Sequence, residues 1–71
     1  MDAGQLARIE DILARLDIAE TADFLDLPGY HLHPLTGNLK GYWSVRVSGN
    51  WRIIFGLSDG DAFDVDLVDY H

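Results

Sequence analysis

The stretch that decides the fold is Tyr42-Trp43-Ser44-Val45-Arg46-Val47-Ser48-Gly49-Asn50-Trp51-Arg52-Ile53-Ile54-Phe55. Apolar residues occupy every second position on either side of Gly49-Asn50. A period of two indicates strands with one buried face, because successive side chains of a strand point to opposite sides. The Gly-Asn pair between the two runs is a turn signal. The stretch therefore predicts an antiparallel hairpin, with Trp43 and Trp51 on its buried face.

Further strands are predicted on both sides of this hairpin. Residues 30–34 also alternate with a period of two, and Asp59-Gly60 is typical of a tight hairpin turn. After that turn, Phe63, Val65 and Leu67 alternate with aspartates, as on an edge strand that keeps one charged face in water. The second half of the chain is thus predicted to form a four-stranded antiparallel meander.

The first half of the chain has a helical period instead. Residues 2–18 carry an apolar stripe at steps of three and four, formed by Leu6, Ile9, Leu13 and Leu16. Residues 20–26 are consistent with one more helical turn that buries Phe24 and Leu25, and Pro28-Gly29 ends it. The predicted fold class is α+β, with an N-terminal helix, and a short second one, packed on one face of the sheet.

Length and composition limit the kind of protein this can be. A chain of 71 residues and 8.0 kDa forms one domain, residues 1–71. It contains no cysteine, which excludes disulfides, thiolate zinc sites and a thiol nucleophile. The sequence shows neither a signal-peptide pattern nor an apolar run of the roughly 20 residues that span a membrane. We therefore expect a soluble, cytoplasmic protein.

The charge balance is unusual for a protein that would bind nucleic acid. Twelve Asp and Glu against five Lys and Arg give a formal net charge of −7. Phosphate binding depends on cationic side chains that displace counterions, so the chain as a whole should repel RNA at long range. Lys40, Arg46 and Arg52 nevertheless lie together in the middle of the sequence, where they could form a local cationic face.

Two histidines, an arginine and a tyrosine are the parts needed to cleave a phosphodiester without a metal. His33 and His71 can act as general base and general acid, in either assignment, because histidine titrates near neutral pH. The planar guanidinium of Arg52 suits a scissile phosphate. Tyr70 could stack on a base or orient a phosphate, and Asp69 could fix a histidine tautomer or hold the C-terminal segment.

Each of these residues also has a structural interpretation. A lone histidine beside a proline is more often a surface or packing residue, and Arg52 could simply cover the sheet with its aliphatic stem. His31, His33 and His71 do not have the spacing of a recognised metal-ligand pattern. No metal and no cofactor are therefore predicted.

Five short motifs nevertheless resemble, in order and spacing, the HigB-like toxins of the RelE superfamily. They are Leu27-Pro28-Gly29, Leu32-His33-Pro34-Leu35, Gly41-Tyr42-Trp43-Ser44, Asn50-Trp51-Arg52 and Asp69-Tyr70-His71. The resemblance implies a RelE-like fold and a growth-inhibiting mRNA interferase, an endoribonuclease that cuts mRNA on the ribosome and is neutralised by a helix-turn-helix antitoxin. It also implies that His33, Arg52, Asp69, Tyr70 and His71 are catalytic, with Lys40 and Arg46 on the RNA-binding surface.

The sequence also departs from the family pattern. Compared with the family, the chain is expected to be short at its N-terminus, where members usually have a strand and a basic helix. Thr36 and Leu39 stand where basic residues are common. These departures favour an alternative, a non-catalytic relative that binds an antitoxin or self-associates. Because a missing strand would leave a sheet edge and apolar surface uncovered, we also expect a homo-oligomer or a protein that is stable only with its antitoxin.

Overall fold

The computed structural model describes residues 3–69 of the chain. Its elements are helix α1 (Ala3–Ile18), a single 3-10 turn (Ala22–Leu25), strand β1 (His33–Pro34), a second 3-10 turn (Gly37–Leu39), and strands β2 (Tyr42–Ser48), β3 (Trp51–Ser58) and β4 (Asp61–Asp69). The four strands form one antiparallel sheet in the order β1-β2-β3-β4. The predicted α+β architecture is confirmed. Within the described residues, no helix has the length and apolar character needed to cross a membrane.

Helix α1 packs on one face of the sheet, and the core lies between them. Ile12 and Leu16 of the helix are buried against Val45, Ile53 and Phe55 of the two central strands. Burying an aliphatic or aromatic side chain of this size contributes about 1.5–3 kcal/mol. We call this side of the sheet the covered face and the opposite side the open face.

The turn between β3 and β4 is the tight hairpin turn that the sequence predicts. Asp59 and Gly60 both have positive φ, 53° and 82°. Two such residues make a type I′ turn, whose twist matches that of the flanking strands. The strands extend beyond their predicted limits, because β3 continues to Ser58 and β4 already begins at Asp61.

A bulge in β4 changes the predicted alternation. The register with β3 shifts near Asp64, which has a φ of 50°. One extra residue in a strand moves everything before it to the other face. The prediction that Phe63 shares a face with Val65 and Leu67 is therefore wrong, since Phe63 lies on the open face and the other two lie on the covered face.

Phe63 in turn explains a glycine in the middle of β3. Its ring lies over Gly56, its cross-strand partner, and a Cβ at that position would overlap the ring. The ring also meets that of Tyr42 edge-on, with 5.7 Å between centroids. Glycine at position 56 thus permits a small aromatic cluster on the open face.

Two predictions about burial need correction. Trp43 and Trp51 lie on the covered face but are only half-buried, because they flank the core rather than form its centre. Such large side chains are seldom fully buried. In the 3-10 turn after α1, Leu25 is fully buried as predicted, whereas the Phe24 side chain is 41% exposed.

The first strand is shorter than predicted. Only His33 and Pro34 pair with β2, opposite Ser44 and Trp43. His31 has a φ of 49°, which interrupts the extended backbone that residues 30–34 were expected to share. The chain before β1 is therefore a loop that other contacts must hold in place.

Arg8 and Tyr30 hold that loop against α1. The Arg8 side chain donates from Nε to the Arg46 carbonyl at 3.2 Å and from Nη2 to the Gly29 carbonyl. Its guanidinium carbon lies 4.3 Å from the centre of the Tyr30 ring, a cation–π contact. The Tyr30 carbonyl also accepts from the Arg46 amide at 2.6 Å. These contacts fix the start of β1, and with it the position of His33.

The hydrogen bond between the Tyr30 hydroxyl and α1 is sensitive to acid, because its acceptor is a carboxylate. Its hydroxyl donates to the Asp11 carboxylate, which also accepts from Arg15 Nε at 2.9 Å. These two hydrogen bonds lower the pKa of Asp11 below its ordinary value of 3.8. Burial and the same carboxylate raise the pKa of Tyr30, so the phenol stays protonated and continues to donate.

We expect Tyr30→Phe to weaken the pH dependence of stability in acid. A carboxylate whose folded pKa is depressed contributes stability that is complete above its unfolded pKa and is lost as pH falls through the folded pKa. Urea unfolding of wild type and Tyr30→Phe, followed from pH 6 downwards through the region below 3.8, measures the difference. The stability gap between the two proteins should narrow as the pH falls. A gap that stays constant would show that the Asp11–Tyr30 hydrogen bond does not couple to folding.

Candidate active site on the open face

Strand register determines which polar side chains share the open face. Residues directly opposite one another in an antiparallel sheet point to the same side. Val45, Ile53 and Phe55 define the covered face, so the residues between them belong to the open face. Two rows cross that face, His33–Ser44–Ile54–Asp66 and Arg46–Arg52–Val68.

His33 lies at the edge of the open face with its imidazole exposed to solvent. Its Nδ1 is 3.3 Å from the carbonyl oxygen of His31. A carbonyl only accepts hydrogen bonds, so Nδ1 is the protonated ring nitrogen in this contact. In a neutral imidazole this leaves the lone pair on Nε2, which can take a proton from a bound substrate.

Arg46 and Arg52 are direct cross-strand partners on the same face. Their Cβ atoms are therefore about 4.5–5.5 Å apart, a distance at which like charges repel and destabilise a sheet. Arg52 donates from Nη1 to the carbonyls of Gly49 at 3.1 Å and Trp51 at 3.3 Å. Among residues 3–69 no carboxylate forms a salt bridge with either arginine. An anion bound between the two guanidinium groups would remove this repulsion.

Ser44 lies between His33 and Ile54 in the first row, and sequence reasoning did not identify it as a site residue. Its side chain is fully buried, and its hydroxyl has no hydrogen-bond partner among the described residues. A buried hydroxyl without a partner costs about 1–3 kcal/mol. No sequence signal marks this residue, because Ser44 occupies an ordinary polar position between Trp43 and Val45.

Acidic groups occupy the β4 side of the open face. Asp66 is exposed in the first row, and Asp64 accepts a hydrogen bond from the Tyr42 hydroxyl at 2.6 Å. This carboxylate raises the pKa of Tyr42, so the phenol remains neutral. The open face is therefore cationic near the β2–β3 turn and anionic along β4.

The remaining predicted site residues are less centrally placed. Lys40 is exposed and precedes β2, outside the sheet. Asp69 pairs with Trp51, and its register thus assigns it to the covered face, away from His33 and Arg52. Tyr70 and His71 lie outside the described residues, so their predicted roles stay predictions. The described part of the chain places His33, Arg46 and Arg52 on the same face of the sheet.

A metal is not indicated by the described residues. No group of three His, Asp or Glu side chains within residues 3–69 has the geometry to hold an ion. The open face offers imidazole and guanidinium groups near β1 to β3 and carboxylates along β4. The imidazole and guanidinium groups suit proton transfer and stabilisation of a phosphate anion.

Comparisons with known proteins point in the same direction. Residues 3–71 match the family model of the HigB-like toxin, described as the RelE-like toxin of type II toxin–antitoxin system HigB. The chain is 44% identical over 69 residues to Endoribonuclease HigB of Proteus vulgaris, covering 97% of this chain and 75% of that protein. It is 41% identical over 64 residues to Toxin HigB-1 of Vibrio cholerae serotype O1, covering 83% of this chain and 67% of that protein.

Proposed function

The chain belongs to the HigB-like family of RelE-like toxins of type II toxin–antitoxin systems, and from this premise we propose that it is an endoribonuclease that cleaves mRNA on the ribosome in the cytoplasm. One observation carries the proposal. His33, Arg46 and Arg52 share the open face of one sheet, and among residues 3–69 no carboxylate forms a salt bridge with either arginine. A proton acceptor beside a phosphate-binding charge is the minimum that metal-free phosphodiester cleavage needs.

We assign the proton-abstraction step to His33. Its Nε2 takes the proton of a ribose 2′-hydroxyl, whose oxygen attacks the adjacent phosphorus. Arg52 stabilises the negative charge that develops on the phosphoryl oxygens. The bond to the 5′-oxygen then breaks and leaves a 2′,3′-cyclic phosphate. Protonation of the leaving 5′-oxygen is assigned to His71, as part of the same proposal.

The charge distribution on the open face suggests a direction for the RNA. With strands about 4.8 Å apart and a rise of about 3.4 Å per residue, His33 and Arg52 have Cα atoms about 12 Å apart. The Arg52 guanidinium donates to the Gly49 and Trp51 carbonyls, so the proposal requires it to leave these carbonyls when it binds a phosphate near His33. Phosphates should lie on the β1–β2 side, between Arg46 and the exposed Lys40, because Asp64 and Asp66 repel them from β4.

One observation supports a different function. The net charge of −7 opposes RNA binding, which would fit a relative that binds its antitoxin without cutting RNA. A type II toxin has a protein antitoxin as its partner, and we propose a helix-turn-helix protein in that role. Both functions predict antitoxin binding, so only RNA cleavage distinguishes them.

Expression of the chain in bacterial cells tests the proposed function. We expect induction to arrest growth and to produce new mRNA 5′ ends within translated codons, detected by sequencing of 5′-hydroxyl ends. A reporter mRNA whose start codon has been removed should remain intact in the same cells, because it does not enter the ribosome. Co-expression of the antitoxin should abolish both effects.

Two results would contradict the proposal. Cleavage of the reporter without a start codon would exclude ribosome dependence. Tight antitoxin binding by a soluble, folded chain that generates no new mRNA ends would favour the non-catalytic alternative.

A further inference from the structure

A third row of side chains crosses the open face beside the histidine row and the arginine row. It consists of Tyr42, Gly56 and Phe63, which are partners across β2, β3 and β4. We call it the aromatic row. Along β2 it lies two residues, or about 7 Å, from the histidine row, and the arginine row lies the same distance further on. Aromatic, imidazole and guanidinium groups thus follow one another in this order.

Specific contacts hold the two rings of the aromatic row in place. The Phe63 ring lies over Gly56, at a point where a Cβ would overlap it. It meets the Tyr42 ring edge-on at an interplanar angle of 70°. The hydrogen bond from the Tyr42 hydroxyl to Asp64 fixes the orientation of the second ring. The aromatic row is therefore a built feature of the sheet, for which the middle of a central strand has given up its side chain.

The aromatic row offers exposed surface of a particular chemistry. Phe63 remains 42% exposed although its ring covers Gly56. Phosphate does not suit this surface, because the carboxylates of Asp64 and Asp66 lie beside it and repel anions. A nucleobase does suit it, because every base has a π-face that stacks on aromatic side chains. Other small sheets bind single-stranded RNA through aromatic side chains that stack on unpaired bases.

We propose that the aromatic row stacks on the base of the nucleotide whose 2′-hydroxyl reacts at His33. This subsite rests on the proposed ribonuclease function, because it assigns a position to the substrate of that reaction. The ribose lies over the histidine row, and its 3′-phosphate lies towards Arg46 and Arg52. The base extends the other way, over Tyr42 and Phe63. The order of the three rows is thus the order of base, ribose and phosphate within one nucleotide.

The aromatic row acts by placing the nucleotide rather than by reading its identity. Stacking tolerates any base, since all four have a π-face. A base held over Tyr42 and Phe63 orients the attached ribose so that its 2′-hydroxyl faces His33, and a reactant held in the right geometry reacts faster. Loss of the row should therefore lower the cleavage rate of every codon by a similar factor.

Single-turnover cleavage on purified ribosomes tests this subsite. Two mRNAs are compared, one intact and one with an abasic nucleotide at the position that supplies the attacking 2′-hydroxyl. The wild-type chain should cleave the abasic mRNA about tenfold more slowly, a change that corresponds to 1.4 kcal/mol. Phe63→Leu should cleave the intact mRNA about tenfold more slowly and lose little more on the abasic mRNA. The two losses do not add because both changes remove the same interaction.

Matched variants separate stacking from general damage to the sheet. Leucine at position 63 still covers Gly56, so the fold should be retained, and thermal unfolding checks this. Phe63→Tyr keeps a π-face and should retain more activity on the intact mRNA than Phe63→Leu. Phe24→Leu is the control, because Phe24 is 41% exposed but belongs to the 3-10 turn after α1, outside the sheet. It should cleave both mRNAs as the wild type does.

An uncleavable probe separates failure of the subsite from failure of the proposed function. The probe is a trinucleotide of 2′-deoxycytidine, which lacks the attacking hydroxyl, and its control is the same sugar–phosphate chain with three abasic sites. NMR spectra of the complete chain follow both titrations. Only the base-bearing trinucleotide should shift the ring signals of Tyr42 and Phe63. Base-dependent shifts in a chain that cleaves no mRNA would contradict the ribonuclease activity but not the base-binding subsite.

Three outcomes would overturn the subsite. They are losses from Phe63→Leu and from the abasic nucleotide that multiply, equal rates for Phe63→Leu and Phe63→Tyr, and identical NMR shifts with the two trinucleotides. A wild-type chain that cleaves the intact and abasic mRNAs equally fast, while His33→Gln is inactive, would support the proposed function and exclude the subsite.

Discussion

His33→Gln is expected to lower the rate of mRNA cleavage by about 10²- to 10⁴-fold, the usual loss for a general base. Glutamine keeps a polar side chain of comparable size but cannot take a proton at neutral pH. The His33 side chain is exposed, and its one side-chain hydrogen bond within residues 3–69 is with the His31 carbonyl, so the fold should not change. The measurement is single-turnover cleavage of a defined mRNA on purified ribosomes, with thermal unfolding as the check on folding.

His31→Asn is the matched control for this experiment. His31 is also exposed, only two residues away, and asparagine tolerates its positive φ of 49° better than most residues. The backbone carbonyl that accepts from His33 is retained. We expect near-wild-type cleavage from His31→Asn. Equal losses from the two variants would indicate that the segment matters only for its conformation, and full activity of His33→Gln would remove His33 from the mechanism.

A companion variant, Arg52→Lys, tests the phosphate contact within the same assay. Lysine keeps the charge but loses the planar fork that binds two phosphate oxygens at once. We expect cleavage to fall by about 10²-fold or more, as for removal of a donor that stabilises transition-state charge. If lysine supports the wild-type rate, charge alone at position 52 is sufficient.

The sequence predicts the sheet well because the covered face of each central strand carries an apolar residue at every second position. The hairpin of β2 and β3 follows from the strict alternation of apolar and polar residues. The β3–β4 turn follows from Asp59-Gly60, because this pair is strongly preferred in two-residue hairpin turns. The helix is predicted equally well, since its periodic pattern covers residues 2–18 and α1 runs from Ala3 to Ile18. Local pattern and tertiary packing agree in these elements.

The errors occur where backbone geometry departs from the regular period. Asp64 and His31 both adopt a positive φ, and neither residue type predicts a positive φ as a glycine does. The bulge at Asp64 moves Phe63 to the open face, and the bend at His31 shortens β1. Burial of the tryptophans was overestimated because the alternation predicts a face, whereas exposure depends on how much of that face one helix covers.

The candidate site also contains residues that the sequence predicts and features that only the structure reveals. His33 and Arg52 could be named from sequence because their chemistry and the family motifs single them out. The burial of the Ser44 hydroxyl without a hydrogen-bond partner among the described residues could not be predicted, because it is a property of the packed sheet. The cross-strand pair of Arg46 and Arg52 could be recognised only from the register of β2 against β3. A shift of this register by one residue would place the two side chains on opposite faces.

Phe55→Ala is expected to destabilise the protein by about 3–5 kcal/mol, the usual cost of truncating a fully buried phenylalanine. Phe55 is completely buried on the covered face, among the residues that α1 packs against. A domain of this size has a total stability of roughly 4–10 kcal/mol. The variant should therefore be largely unfolded at 37 °C and unable to arrest growth, although Phe55 lies on the face opposite His33 and Arg52.

Phe63→Ala is the control that distinguishes loss of core packing from loss of an aromatic ring. Phe63 is 42% exposed, and its ring contributes an edge-on contact with Tyr42 on the open face. Such a contact is worth about 0.5–1.5 kcal/mol. Urea unfolding, followed by the fluorescence of the half-buried Trp43 and Trp51, compares the two variants with wild type. Equal destabilisation by Phe55→Ala and Phe63→Ala would mean that the open face is packed as firmly as the core between α1 and the sheet.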